Sequence, residues 1–185
     1  MDKLSTSAFG RHLAALDASS GNGLTIAEWT KAGIAAVMAA PVRQDGVAER
    51  LASFAAGRRA HVLHSGPGQW LVIVEDAEEA WLEALTAALD GTAQVFDQSS
   101  GLGLLTLAGH HARMLLQKGV FVDLDKALDA DGMSVSSVMA HISVTVWRLA
   151  AGRFGIAVPR SYAGSFWHWL EAAAAAEAIP LNHDR

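Results

Sequence analysis

The histidines are the residues of this chain best suited to bind a metal, but their spacing does not favour a metal site. His110 and His111 are adjacent on a predicted helix, where neighbouring positions do not face each other. His61 and His64 have odd spacing on a predicted strand, which places them on opposite faces. His141 lies on a predicted strand with no carboxylate at a ligand spacing. The sequence has neither an H-x-x-x-H nor an H-E-x-x-H run, so no metal ligand is assigned.

The serine and glycine motifs assign no reaction either. Ser99 and Ser100 lie outside any Gly-x-Ser-x-Gly elbow. Gly101-Leu-Gly103 begins like a dinucleotide fingerprint, but the third glycine is missing and a strand follows instead of a helix. Ser65-Gly-Pro-Gly68 lacks the Lys-Ser/Thr pair of a phosphate-binding loop. Asp97 and Ser99 are predicted to end a strand and shape a turn.

Arginine and tryptophan suggest contacts more than catalysis. Arg113, Lys118, Arg148 and Arg160 each lie beside an apolar strand or helix. A solvated surface charge is the default at such positions, but arginine also pairs with carboxylates and stacks on aromatic rings. These positions therefore suit a surface charge or intrachain pair, a subunit contact or a ligand contact. The chain also has six Trp, a residue enriched at interfaces as well as in cores. The candidate subunit-contact residues are Trp70, Arg113, Trp147, Arg148, Arg160 and Trp167.

Composition limits the class of protein further. Of 185 residues, 51% are hydrophobic and 18% are charged, and the net charge is −5 without a basic stripe. That balance argues against a nucleic-acid surface. The chain has no Cys, which excludes disulfides, thiol nucleophiles and cysteine-ligated clusters. The first residues lack the apolar region of a signal peptide, and the longest apolar run, 33–40, is shorter than the about 20 residues that span a bilayer. We therefore expect a cytoplasmic protein that does not enter membranes.

The order of elements predicts an α+β fold. Predicted strands come in pairs separated by helices, which favours mixed or antiparallel sheets over a strictly alternating βα chain. We expect residues 1–23 to form a mobile arm and residues 24–185 to form one domain of two related halves, about 24–90 and 91–180. Trp-Leu-Glu-Ala occurs at 81–84 and again at 169–172, each time on a helix after an apolar strand. The repeat indicates either a duplication or chance.

The stretch 154–170 is the most informative part of the chain. An apolar run ends at Pro159, and a predicted helix follows with Ser161 as its N-cap. Tyr162, Phe166 and Trp169 then recur at the spacing of one helix face. This segment therefore predicts a strand, a tight turn and a capped amphipathic helix.

Several motifs, taken in order, resemble one family. They are Gly66-Pro-Gly-Gln-Trp-Leu71, Leu107-Ala-Gly-His-His-Ala-Arg-Met-Leu-Leu-Gln-Lys-Gly119 with Asp123-Leu124, Ala140-His141-Ile142 with Val146-Trp147-Arg148, and Val158-Pro-Arg-Ser-Tyr-Ala-Gly-Ser-Phe-Trp-His-Trp-Leu170. Together they resemble the gamma subunit of heterotetrameric sarcosine oxidase from about residue 24 to residue 175. The last motif is fairly specific, and the others are individually weak.

The resemblance implies a fold, a role and a set of partners. The fold would be duplicated β-α-β-β-α halves similar to the folate-binding domain of the glycine-cleavage aminomethyltransferase. The chain would be a non-catalytic gamma subunit that works with alpha, beta and delta subunits. FAD, FMN, NAD, tetrahydrofolate and zinc would be bound by those partners, with no cofactor, catalytic or metal residue in this chain. Such enzymes oxidise the N-methyl group of sarcosine, transfer the carbon to tetrahydrofolate and yield hydrogen peroxide.

Other functions stay open at this stage. Folate-dependent iron–sulfur repair proteins of the same wider group carry Lys-Gly-Cys-Tyr-x-Gly-Gln, whereas this chain reads Lys118-Gly-Val-Phe-Val-Asp123, which disfavours that function. The motifs do not separate sarcosine oxidase from N-methylglutamate dehydrogenase, which also has a gamma-type chain. A stand-alone folate-binding transferase would need a cavity and a carboxylate, with Asp97 as the candidate to hold a pterin ring. The remaining alternative is an adaptor without an enzyme partner.

Overall fold

The structure is a computed structural model that describes residues 7–18 and 23–184. The chain divides into two compact units. The first unit comprises residues 31–100, and the second comprises the described residues of 7–30 together with 101–184.

The elements follow one another with short connections. In chain order they are α1 (Gly10–Leu13), β1 (Asp17–Ala18), β2 (Leu24–Glu28), β3 (Gly33–Ala39), α2 (Gln44–Ala55), β4 (Ala60–Gly66), β5 (Gln69–Val74), α3 (Trp81–Leu89), β6 (Ala93–Asp97), β7 (Leu102–Ala108), α4 (Ala112–Gln117), α5 (Leu124–Ala127), β8 (Ser134–Met139), β9 (Ile142–Ala150), β10 (Arg153–Pro159), α6 (Ala163–Ala176) and β11 (Leu181–His183). Short 3₁₀ turns at Pro41–Arg43 and Arg160–Tyr162 precede α2 and α6.

The first unit is a β-α-β-β-α-β arrangement around one four-stranded sheet. Its strand order is β4-β5-β3-β6, and every neighbouring pair is antiparallel. Alternate residues of a strand point to one face, so Ala35 and Val37 of β3 join Val72 of β5 in one core. Leu51 of α2 and Leu85 of α3 close that core. This is the split βαβ pattern, in which β5 separates β4 from β3.

The second unit is built on a seven-stranded mixed sheet. Its strand order is β1-β11-β2-β7-β10-β9-β8. The pairs from β2 to β8 are antiparallel, whereas β11 pairs in parallel with both β1 and β2. Helix α6 covers one face with Phe166, Trp167 and Leu170, which join Ile156 and Val146 in the core.

Three strands and one helix have the same arrangement in both units. The neighbours β4-β5-β3 correspond to β9-β10-β7, and α3 follows β5 as α6 follows β10. The two Trp-Leu-Glu-Ala segments therefore lie on corresponding helices, although Trp81 begins α3 and Trp169 lies in the middle of α6. In the first unit, β6 pairs with β3. In the second unit, the equivalent place beside β7 is taken by β2, a strand from near the start of the chain.

The predicted mixed and antiparallel sheets are confirmed, but the predicted boundaries differ. Residues 7–18 of the expected mobile arm form α1 and β1, and Phe9 and Leu13 are buried in the core of the second unit. Positions 1–6 and 19–22 of that arm lie outside the described residues. The units divide at about residues 30 and 100 instead of at 90, because β2 pairs with β7.

Two local predictions also need correction. Ser161 does not cap α6, because it lies inside the 3₁₀ turn and Tyr162 takes the N-cap position without a side-chain hydrogen bond. Ala140 and His141 do not extend β8. Both have positive φ, 50° and 66°, and they form the two-residue turn between β8 and β9.

Candidate subunit-contact site

The three tryptophan candidates are packed within the chain. Trp147 and Trp167 are almost completely buried, and 7% of Trp70 is exposed. The Trp147 ring contacts Trp29 edge-on at 5.8 Å, and a Cβ at Gly155 would overlap that ring. Trp167 stacks on His12 at 5.3 Å. Packing inside the chain therefore accounts for these rings and removes the reason to place them in a subunit contact.

Arg113 and Arg148 bind main-chain carbonyls of their own unit. Arg113 Nη1 donates to Leu124 O at 2.7 Å and Nη2 donates to Leu128 O at 3.2 Å, while its guanidinium lies over the Phe154 ring. Arg148 Nη1 donates to Leu128 O and to Asp129 O at 3.3 and 2.6 Å. Both guanidiniums thus converge on one carbonyl and hold the segment 124–129. Of the alternatives that the sequence left open, the structure supports the intrachain pair.

Arg160 lies in a 3₁₀ turn, and Asp97 ends β6 directly before a turn. Arg160 begins the 3₁₀ turn before α6, and its main-chain N–H donates to Gly101 O at 2.9 Å. Its side chain is partly exposed, so its role in a subunit contact stays a prediction. The Asp97 carboxylate accepts the N–H of Ser99 at 2.9 Å, which confirms the predicted turn. Ser99 Oγ in turn accepts the N–H of Ile34 at 3.0 Å. The Asp97 carboxylate thus has a local structural use.

An ionic cluster lies beside β4 and β5 in the first unit. His61 Nε2 lies 2.8 Å from Glu75 Oε1, and Arg59 contacts both Glu75 and Asp76. His64, by contrast, contacts the Trp70 ring, so the two histidines of β4 have different neighbours. Within residues 7–18 and 23–184, no group of three or more His, Asp or Glu side chains could hold a metal ion.

Described residues line at least two surface hollows. One of about 530 Å³ lies between α2 and α3 and is lined by Arg50, Phe54 and Arg58 together with Ala84 and Ala88. In it, Arg58 lies over Phe54, and Arg50 Nη1 donates to Ala88 O at 3.1 Å. A second hollow of about 270 Å³ lies beside α1, and its lining includes Glu28, His183 and Asp184.

No helix formed by the described residues is long and apolar enough to cross a membrane.

Several large apolar side chains are exposed. Val42 and Phe121 are each 90% exposed. Six others are exposed to a lesser degree: Met38, Phe96, Met114, Met133, Val138 and Tyr162. Tyr162 was predicted to share a helix face with buried Phe166, but it lies in the 3₁₀ turn and about half of it is exposed. At these positions, unlike at Trp70, Trp147 and Trp167, large apolar side chains are exposed on the surface of the chain.

Two curated relatives are similar to part of the chain. The sarcosine oxidase gamma subunit of Corynebacterium sp. strain P-1 is 29% identical over 109 residues, covering 59% of this chain and 54% of the relative. The gamma subunit from strain U-96 is 30% identical over 110 residues, covering 59% of this chain and 53% of the relative. The matched part of the chain therefore spans about half the length of these relatives.

Solved structures match nearly the whole chain. A chain of the heterotetrameric sarcosine oxidase from Corynebacterium sp. U-96, in complex with pyrrole 2-carboxylate, superposes with a TM-score of 0.78 at 25% identity, covering 94% of this chain and 96% of that one. The glycine cleavage aminomethyltransferase T from Bartonella henselae superposes with a TM-score of 0.58 at 12% identity, covering 95% of this chain and 50% of that one. The second similarity concerns the fold alone, and it agrees with the predicted likeness to a folate-binding domain.

A family model matches the greater part of the sequence. The model describes the sarcosine oxidase gamma subunit family, and it matches residues 30–177, which include β3 to β10 and both copies of the Trp-Leu-Glu-Ala segment. The chain belongs to the sarcosine oxidase gamma subunit family.

Proposed function

We propose that this chain is the gamma subunit of a heterotetrameric sarcosine oxidase and has a structural role in that enzyme. The observation that carries the proposal is the match over 94% of this chain and 96% of a chain in a solved oxidase of that type. A match over nearly all of both chains indicates that the whole fold, and not one motif, is shared.

The proposal assigns the chemistry to the partner subunits. Alpha, beta and delta subunits would hold FAD, FMN, NAD, tetrahydrofolate and zinc, and the assembly would demethylate sarcosine and transfer its carbon to tetrahydrofolate. This chain would supply contacts that keep those subunits together. The structural role is supported by the side chains of Arg113, Arg148 and Asp97, because each forms hydrogen bonds with main-chain atoms of its own unit. The assembly is expected in the cytoplasm.

The test is native purification of the chain from its own cells, followed by a visible spectrum. The expected result is a yellow complex with flavin absorption bands and three further, different chains. Sarcosine should reduce the flavin, whereas reduction by N-methylglutamate alone would assign the chain to the related dehydrogenase. A colourless preparation of this chain by itself would contradict the proposal.

A titration of the isolated chain with tetrahydrofolate distinguishes a gamma subunit from a stand-alone folate-binding transferase. A stand-alone folate-binding transferase would bind the pterin in the isolated chain, and binding near Asp97 would be weakened by Asp97→Asn. The gamma-subunit proposal predicts no binding heat from the isolated chain, because it assigns tetrahydrofolate to a partner.

A further inference from the structure

Phe121 lies at the tip of a short loop, residues 119–123, that joins α4 to α5 in the second unit. Its side chain is 90% exposed, while its neighbour Val120 is 6% exposed. Single exposed apolar residues are common on protein surfaces and need no explanation by themselves. This one differs from an ordinary surface residue because the loop that carries it is held in place on both sides.

The side of the loop before Phe121 is fixed by packing and by helical hydrogen bonds. A Cβ at Gly119 would lie 2.5 Å from Met139 Cγ and from Trp169 Cζ2, so the backbone lies directly against those side chains. The N–H groups of Gly119 and Val120 donate to Leu116 O at 3.0 and 3.3 Å. The main chain that leads to Phe121 therefore continues the end of α4.

The side of the loop after Phe121 is fixed by one amide and one carboxylate. Gln117 Nε2 donates to Val122 O at 2.8 Å, and Gln117 Oε1 accepts the N–H of Leu124 at 2.8 Å. Asp123 caps α5, because its carboxylate accepts the N–H groups of Asp125 and Lys126. A side chain on such a fixed loop loses little conformational freedom when it binds, which favours an anchoring role.

The charges around Phe121 are balanced within the chain. All four charged side chains of residues 118–126 are in ion pairs: Lys118 with Glu177 at 2.5 Å, Lys126 with Asp123 at 3.1 Å, and Asp125 with Arg113 at 3.0 Å. An anionic membrane or a nucleic acid binds through clustered cations, which this surface lacks. The complementary surface is therefore an uncharged, apolar one.

We propose that Phe121 is an anchor that inserts into an apolar pocket of another subunit of the same oxidase. The inference rests on the proposed function, since the occupant is a partner subunit. Large aromatic side chains in fully desolvated pockets dominate binding energies at protein interfaces. Met114, on α4 of the same unit, is also exposed.

The experiment compares Phe121→Ser and Phe121→Leu with Val42→Ser, each carried on the full chain and expressed with the other subunits. Val42 is a matched control, because it is equally exposed but lies in the first unit before α2. Retention of the flavin subunits on the tagged chain is measured against salt and dilution. Circular dichroism of each isolated variant checks that folding is unchanged.

Phe121→Ser should weaken retention about ten-fold or more, Phe121→Leu should weaken it less, and Val42→Ser should leave it unchanged. If the wild-type chain retains the flavin subunits and Phe121→Ser retains them equally well, the anchor is overturned while the proposed function stands. If the wild-type chain retains no flavin subunit, the proposed function is contradicted independently of Phe121. The isolated chain could instead form a homodimer that the Phe121→Ser substitution dissociates. In that case Phe121 would contact a second copy of this chain and not a partner subunit, and the inference would be overturned.

Discussion

The indole ring of Trp147 fills the space that a side chain at Gly155 would need, across the antiparallel pair β9 and β10. Gly155→Ala should therefore lower the free energy of unfolding by about 1–3 kcal/mol, because the added methyl group forces the indole from its position. Urea unfolding followed by circular dichroism measures the change. Gly46→Ala is the matched control: nothing lies within 4 Å of a Cβ at that position in α2, and the change should stabilise the chain by about 0.5–1 kcal/mol. Equal effects of the two substitutions would contradict the account.

Glu28 attaches residues 7–9 to the second unit. Its carboxylate accepts the N–H groups of Ala8 and Phe9 at 2.6 and 3.3 Å and also the hydroxyl of Ser7. Glu28→Ala should cost about 1–3 kcal/mol, since those N–H groups lose their acceptor in a partly buried position. Amide hydrogen exchange should rise at residues 8–13 more than elsewhere. Glu79→Ala, at an exposed position before α3, is the control and should change neither measurement.

We expect His12 to make the stability of the chain depend on pH. Burial lowers the pKa of His12 below its ordinary value of 6.5, the charge of Arg11 lowers it further, and Glu171 acts in the opposite direction. The folded pKa thus lies below the unfolded one, so the unfolded chain takes up the proton first as the pH falls. The contribution of His12 to stability is complete above about 6.5 and is lost as the pH falls from there through the folded pKa.

The measurement for His12 is its own titration by NMR, together with urea midpoints at several pH values. We expect the His12 imidazole to titrate below 6.5 and the midpoint to fall on acidification by more in the wild type than in His12→Gln. That difference isolates one of the eight histidines of the chain. An NMR titration above 6.5, or identical midpoint profiles, would refute the assignment.

Gln117 is predicted to control the mobility of the Phe121 loop. Gln117→Met keeps the length of the side chain but removes both hydrogen bonds to the loop, so the amide protons of residues 122–124 should exchange faster. The free energy of unfolding should fall by about 1–3 kcal/mol, because the partly buried N–H of Leu124 loses its acceptor. Gln94→Met, on the exposed face of β6, should leave exchange at the loop unchanged. Unaltered exchange at residues 122–124 in Gln117→Met would show that the loop is fixed by other contacts.

Local patterns predicted most of the secondary structure. Continuous apolar runs at 34–39 and 70–74 correspond to β3 and β5, and Gly57, whose φ is 75°, follows α2 as glycine commonly does after a helix. The long-range pairings could not be predicted in the same way. β2 lies beside β7 and β11 because of contacts between residues far apart in the sequence, and no local signal carries that information.

The candidate site was predicted less well than the fold. Trp147 and Trp167 were proposed as contact residues because tryptophan is enriched at interfaces, but the same ring is equally suited to a core. Arg113 and Arg148 were expected to pair with carboxylates or to stack on aromatic rings. Both also donate to the main-chain Leu128 O, which the sequence did not indicate because the position of that segment depends on the whole unit. The sequence signal for Phe121 was weak: it is a bulky apolar residue in the short segment between Gly119 and Asp123.

The most direct test of the central claim is native mass spectrometry of the assembly that co-purifies with this chain. The account predicts one copy of this chain in a complex of four different subunits, with flavin retained on a partner. It also predicts that removal of this chain by its tag reduces sarcosine-dependent flavin reduction in the remaining mixture. A mass corresponding to this chain alone, or to copies of itself only, would contradict the assignment as a gamma subunit.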